Sequence, residues 1–374
     1  MNFSTTKPVL MVGATDSFPS IEYASGFRAP DPVVFLKFGE ENFLVVPQME
    51  FGRASRTEKA ITVFTPETLG LEGAARGKLG EWALKLLKNL GIKTVMVPSL
   101  FPHGVAKYLE KRGICVIIAR YDLFPERSVK SSDELHKIRE SQQAAVIAMR
   151  AAIAFITASE IDSAGCLKSR GKVVTSEYVR EIISRILFEH NCMPKDLIVA
   201  GGSQAADPHE TGSGPLYAGE TIVIDIFPKN MTHGYWGDLT RTVVKGVASP
   251  FIKKIYHAVK AAQLVGLSRV KAGINGSTVH RSVVDEFRRR NLLGNPSDDR
   301  STGFIHSTGH GVGLSIHEAP SVSTAEGRLK SGNVITIEPG LYYPGIGGVR
   351  IEDTIVVTHS GWRYLVPCEK KFEI

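Results

Sequence analysis

The sequence predicts a two-domain protein of mixed α and β structure: an α/β layer domain over residues 1–127, then a domain over 128–374 that combines long helices with short strands. Three observations predict it. The chain has 374 residues, too many for one ordinary core at about 100–200 residues per domain. Residues 1 to about 125 alternate short apolar runs with a helical pattern, whereas beyond Gly201 short apolar runs are separated by glycines and prolines. Pro125 and the polar ERSVKSSDE break the first pattern, and the boundary is placed there.

Taken in order, PVLMVG, VVFLKF and NFLVVP read as strands, LGEWALKLLKNL as an amphipathic helix, and KTVMVP and ICVIIA as further strands. A long helix opens the second domain. Ser131 stands three residues before Glu134, the spacing at which each side chain can bond the other's free backbone N–H. Leu135, Ile138, Ala145, Met149, Ala152 and Ile156 follow the helical repeat, so one face of this helix should lie in the core. Further helices run through SEYVREIISRILFEH and SPFIKKIYHAVKAAQLVGLSRV. Strands follow in ETIVIDIF, LTRTVVKG, NVITIEPG and VRIEDTIVVT. No sequence repeat or low-complexity tract is visible.

Composition excludes several classes. Hydrophobic residues make up 43% and charged residues 22%, the range of an ordinary globular protein. The net charge of +7 is spread along the chain; Arg288-Arg289-Arg290 reads as a solvated helix face, and no nucleic-acid partner is expected. Cys115, Cys166, Cys192 and Cys368 lie far apart, which fits reduced thiols in the cytosol and neither a zinc knuckle nor a disulfide framework. MNFSTTKPVL lacks a charged start followed by an apolar run, and no stretch reaches the roughly 18 apolar residues of a span, so a cytoplasmic protein without a membrane partner is expected. No Gly-x-Gly-x-x-Gly opens a helix after a first strand, which argues against a nucleotide-dependent dehydrogenase.

Acids stand where acids are out of place. Asp225 lies inside the apolar run TIVIDIF, and a buried carboxylate costs several kcal/mol unless it is paired or metal-bound. Asp238 follows in GYWGDLTRT after a turn region, so a hairpin brings both carboxylates to one face. Glu338 ends NVITIE, and Glu352 is expected inside the strand GGVRIEDTI, between apolar residues. Four carboxylates at one site would raise one another's pKa. Two divalent cations would cancel their charge, and an oxygen-rich site with one imidazole suits manganese, cobalt, iron or zinc. Paired metals can bridge a water, deliver it as hydroxide and polarise a carbonyl, which is machinery for hydrolysis.

STGHGVGLSIHEAP, IDIF with GYWGDLTRT, IEPGLYY and GGVRIED together resemble the pita-bread metallopeptidases, in particular the Xaa-Pro dipeptidases (prolidases) and Xaa-Pro aminopeptidases. The likeness runs from about residue 130 to the C-terminus, and the first domain, with EYASGF, looks like the N-terminal domain of the prolidase and creatinase branch. The resemblance implies a catalytic domain with a curved antiparallel sheet flanked by helices. It implies that Asp225 binds one metal, that Asp238 and Glu352 bridge two, and that His310 and Glu338 bind the other, manganese being expected. Glu338 would also be the general base. The glycines at 309, 311 and 313 would let the backbone pass close to the metals and adopt unusual dihedrals.

His317 resembles the family's histidine that hydrogen-bonds the substrate carbonyl and the developing oxyanion, and His209 the one that faces the substrate and leaving group. His306 is a candidate for lining the proline pocket, and Arg350 for bracing a ligand carboxylate. The implied function is a dimetal exopeptidase that hydrolyses the bond between an N-terminal residue and proline in a short peptide, working as a homodimer. Two rivals share the scaffold: a metal-free creatinase-like C–N hydrolase and a non-catalytic binding protein. The intact ligand set argues against both. IFPKNMTHGYWG departs from the pattern, being two residues longer than the family's commonest hairpin, with Pro228-Lys229 where glycine is usual. Strict proline specificity is therefore not implied.

Overall fold

The computed structural model describes residues 7–294 and 302–374. The chain divides into one unit ending at Arg127 and a second spanning Ser128–Ile374.

In the first unit, six strands form one mixed sheet in the order Thr62–Phe64, Glu41–Val45, Val33–Phe38, Val9–Gly13, Thr94–Val97, Cys115–Ile118. Its central strand runs antiparallel to Val33–Phe38 and parallel to Thr94–Val97. The apolar runs lack alternation because both faces are covered. Leu10 and Val12 pack with Trp82, Leu86 and Leu87 of the helix Leu79–Asn89, while Val9 and Met11 pack with Ile21, Phe27 and Phe124 on the other side. The short helices Pro19–Ser25 and His103–Glu110 were not anticipated from periodicity.

The second unit builds two antiparallel ladders behind helix pairs. Helices Ser132–Thr157 and Ser176–Glu189 cover the sheet Ile198–Gly201, Thr221–Ile226, Leu239–Val244. The capping box closes as expected, with Ser131 accepting from the Glu134 N–H. Ile138, Ala145, Met149, Ala152 and Ile156 are buried and Leu135 half-buried. Helices Pro250–Arg269 and Gly276–Arg289 then precede a five-stranded sheet ordered Glu318–Val322, Gly309–Gly311, Val334–Ile337, Asp353–Val357, Trp362–Tyr364, and a ribbon of Gly340–Tyr343 with Gly347–Arg350. The plan of helix pair then ladder is thus used twice, although no repeat is visible in the sequence. Asp238 immediately precedes the last strand of the first sheet, and Glu352 immediately precedes Asp353–Val357 of the second.

Arg288 pairs with Asp285, and Arg289 and Arg290 pair with Glu286, all on the last turns of one helix. Among the described residues, no helix is long and apolar enough to cross a membrane.

Candidate metal centre and active site

Register places the acids. Asp225 lies opposite Thr240 on the neighbouring strand. Side chains alternate along a strand, so Asp238, two residues before Thr240, points to the same side. Glu338 follows the strand Val334–Ile337, and its N–H donates to the Thr308 carbonyl at 2.8 Å. The placement of Glu352 corrects the expectation of a continuous strand. VRIEDTIVVT is broken at Ile351-Glu352: Gly347–Arg350 pairs in the ribbon, and Asp353–Val357 pairs in the five-stranded sheet. At the break the Glu352 N–H donates to the Thr240 carbonyl at 3.1 Å, which ties the second ladder to the first.

The side chains meet between the ladders. His310 Nε2 stands 3.2 Å from Glu338 Oε1 and 3.6 Å from Asp238 Oδ2. Asp238, His310 and Glu352 each offer one ligand atom, all within 4.8 Å of one another. Hydroxyls hold the carboxylates: Thr240 donates to Glu352 Oε2 at 2.8 Å, and Thr336 donates to Glu338 Oε1 at 3.2 Å. His310 Nδ1 lies 3.2 Å from the Gly311 carbonyl. With that nitrogen as donor, the lone pair of Nε2 faces the carboxylates, as a metal ligand requires.

Asp225 has two unlike oxygens. Oδ2 accepts from Arg350 at 2.8 Å, while Oδ1 is buried with no hydrogen-bond partner. Arg350 also donates to the Tyr342 hydroxyl oxygen at 2.8 Å, the Tyr342 hydroxyl lies 3.0 Å from His306 Nε2, and His306 Nδ1 lies 2.7 Å from the Ser307 carbonyl. A neutral His306 with its proton on Nδ1 completes this chain of donors. Burial, chiefly, lowers its pKa and favours that form.

The charges do not balance by themselves. Four carboxylates face one buried guanidinium. Burial, then the neighbouring carboxylates, raises Asp238 well above the usual range and pushes Glu352 up to about 8. Burial also opposes ionisation of Glu338, but the His310 hydrogen bond and charge prevail and hold it at about 2. Desolvation works against the His310 cation, yet Glu338 outweighs it and lifts His310 to about 9. Without a cation, protons occupy the positions where positive charge is needed. An orphaned buried carboxylate oxygen, an oxygen-rich donor set and one correctly presented imidazole together fit divalent cations.

Exposure grades across the site. Asp225, Asp238, Glu352 and Arg350 are buried, His310 and Glu338 half-buried, and His209 and His317 exposed. The His317 ring meets His310 edge-on at 4.3 Å between centroids. His209 lies close enough for its charge to depress the pKa of both His306 and His317, after the larger effect of burial on each. All nine residues singled out in the sequence therefore face one region.

Residues 136–359 match metallopeptidase family M24. The chain belongs to this family. It is 32% identical over 365 residues to Xaa-Pro dipeptidase of Pyrococcus horikoshii, covering 94% of this chain and 92% of that protein. The corresponding enzyme of Pyrococcus furiosus is 30% identical over 366 residues, with 94% and 92% covered. Among solved structures, the Xaa-Pro dipeptidase from Bacillus anthracis superposes with a TM-score of 0.81 at 26% identity, covering 98% of this chain and 95% of that one. The prolidase from Pyrococcus horikoshii gives 0.79 at 29% identity, covering 99% and 96%. The fold of the M24 chain is the pita-bread fold of these prolidases.

The glycines of the M24 chain's STGHGVG segment do not adopt the unusual dihedrals expected of them. Gly309, Gly311 and Gly313 are absent from the left-handed region. A Cβ at Gly309 would lie 2.0 Å from the Thr336 carbonyl oxygen, at Gly311 2.5 Å from that of Ala319, and at Gly313 2.4 Å from Glu318 Oε1. Neighbouring backbone and one carboxylate require these glycines; unusual dihedrals do not.

Sequence reasoning missed the residues that hold the site from behind. Gln142 is fully buried in mid-helix; its amide accepts from the Asp238 N–H at 2.7 Å and donates to the Asp238 carbonyl at 2.9 Å. Arg241 bonds the Glu352 carbonyl at 2.5 Å and pairs with Asp353 at 2.6 Å. The long hairpin is tied down along its length. Tyr235 donates to Glu134 at 3.0 Å, His233 lies 3.1 Å from Glu140, and Lys229–Asn230 pairs with Cys192–Met193. Trp236 reaches the histidine segment, donating from its backbone to the Gly313 carbonyl at 2.9 Å and from its ring to the Leu314 carbonyl at 3.2 Å.

Proposed function

We propose that this M24 chain is a metal-dependent exopeptidase that hydrolyses the bond between an N-terminal residue and proline in a dipeptide or short peptide. One observation carries the reading: Asp225, Asp238, His310, Glu338 and Glu352 share one charge-unbalanced cluster, in a chain 32% identical over 94% of its length to a Xaa-Pro dipeptidase. The five residues are the proposed ligands of two divalent ions, manganese first among the candidates. Such ions, when bound, polarise the scissile carbonyl and acidify a water.

This chain's own groups do the rest. Glu338, half-buried beside His310, is the base that takes the proton of the attacking water. His317, whose pKa burial lowers, is neutral and donates to the oxyanion as it develops. His209, exposed at the open side, is the proposed partner of the proline nitrogen that leaves as an amine. The Tyr342–Arg350 chain fixes Asp225 on one side and His306 on the other, so that His306 lines the pocket in a single orientation.

The test is Asp238→Asn. Gln142 and Thr354 hold the backbone of residue 238, so the variant should fold. It should bind less metal than the wild type and lose hydrolysis of Ala-Pro by a factor of at least about 100, since residues that only orient a ligand already cost up to about 100-fold. Full activity in the folded variant would exclude the reading.

A further inference from the structure

The segment carrying His317 is held by an ion pair that reaches it from the far side of the sequence. Lys130, just ahead of the first long helix, has a side chain only 1% exposed, and its Nζ lies 2.6 Å from Glu318 Oε1. Its own backbone is fixed, since its N–H donates to the Gly332 carbonyl at 2.9 Å and Val129 bridges Asn333. Glu318 Oε2 turns back into its own loop and accepts the Ser315 N–H at 3.2 Å. Its carboxylate also occupies the space that a side chain at residue 313 would need. The turn from Gly313 to Glu318 is therefore wrapped around the Glu318 carboxylate, with Trp236 bonded to its opening carbonyls.

A buried lysine–glutamate pair is a costly way to gain stability, because desolvation consumes most of the attraction and an apolar pair of similar volume would serve as well. What it supplies is one geometry. We infer that Lys130, acting through Glu318, is a positioning residue that sets the turn presenting His317 to the developing oxyanion. Lys130 touches no reacting atom. It acts on the angle at which the neighbouring residue enters the site, in contact with His310. The inference rests on the reading of His317 as the oxyanion's partner. An interaction that forms with the oxyanion and is absent from the ground state appears in kcat and leaves KM nearly unchanged.

The experiment uses the full chain loaded with manganese and compares wild type, Lys130→Met, Lys130→Arg and Glu318→Gln. It measures Ala-Pro kinetics, metal content and amide hydrogen exchange across residues 311–322. Lys130→Met should lower kcat about 10- to 100-fold, as a displacement near 1 Å does. KM should move less than about threefold and metal content should stay at the wild-type level, because only the transition-state contact is lost. Exchange at Gly313–Glu318 should quicken, and Lys130→Arg should recover most of kcat by restoring the pair. If Lys130→Met does not fold, Glu318→Gln, which removes the charge at constant size, is read in the same way. Wild-type kcat with unchanged exchange in the folded variants would overturn the inference, as would a loss of activity fully explained by lost metal. A wild-type protein that cleaves no peptide would overturn the proposed function instead. The exchange of Gly313–Glu318 would then decide the positioning claim by itself.

Discussion

Glu352 shows how much of the site's chemistry is set by burial. Its carboxyl moves from an ordinary 4.5 to about 8, with desolvation the largest cause and Glu338 and Asp225 next. Between these values the folded, metal-free protein keeps a proton that the unfolded chain has released, so this group removes stability as pH rises from 4.5 to 8. His310, raised from 6.5 to about 9, contributes stability that is complete below 6.5 and is lost on the way to 9. The signs agree. Divalent cations bind the deprotonated forms and reverse the trend. The difference in melting temperature between metal-loaded and chelated protein should therefore widen from pH 5.5 to pH 8; a constant difference would contradict the assignment of these residues as ligands. Such behaviour was partly legible in the sequence. An aspartate inside TIVIDIF announces a buried charge, but that Asp225 would give one oxygen to Arg350 and leave the other bare depends on a contact across 125 residues.

At the scale of elements, each ladder presents its proposed ligands because the helix behind it grips the chain beside them. Gln142 forms a two-point amide clamp on Asp238, and Gln263, in the corresponding helix of the second half, bonds the Ile337 and Ile351 carbonyls and Asp353. Gln142→Leu keeps the volume but leaves the buried Asp238 N–H without a partner, at a cost of about 1–3 kcal/mol in urea unfolding. Metal affinity should fall about 10- to 100-fold, as for other residues that orient ligands. Wild-type affinity in a destabilised variant would show that the clamp serves folding alone. Neither glutamine stands out in sequence, since a polar residue in a helical pattern reads as a solvated position. The apolar stripe beside Gln142 was readable, and so was the start of the helix at Ser131, because periodicity reports burial of apolar residues and is silent about buried amides. The break at Ile351-Glu352 escaped for a related reason: an apolar run looks the same whether it crosses one sheet or passes between two.

For the whole molecule, the second unit uses one plan twice, and the two halves together supply the cluster: Asp225 and Asp238 from the first, His310, Glu338 and Glu352 from the second. Neither half holds the donor set alone. Their resemblance lies in topology and in an acid placed immediately ahead of a strand in each half, Asp238 before Leu239–Val244 and Glu352 before Asp353–Val357, and it is not visible in the sequence. Motif order made the five proposed ligands legible, whereas the Lys130–Glu318 pair, separated by 188 residues, has no local pattern to betray it. The central claim is that this assembled cluster hydrolyses peptides at proline with bound metal. Its most direct test is cleavage of Ala-Pro, Ala-Pro-Ala and Ala-Ala-Ala by the purified protein with manganese, repeated after chelation. The account predicts chelator-sensitive cleavage that favours the proline peptides, with the preferred length distinguishing a dipeptidase from an aminopeptidase. No cleavage of any of the three by protein carrying its metal would contradict it.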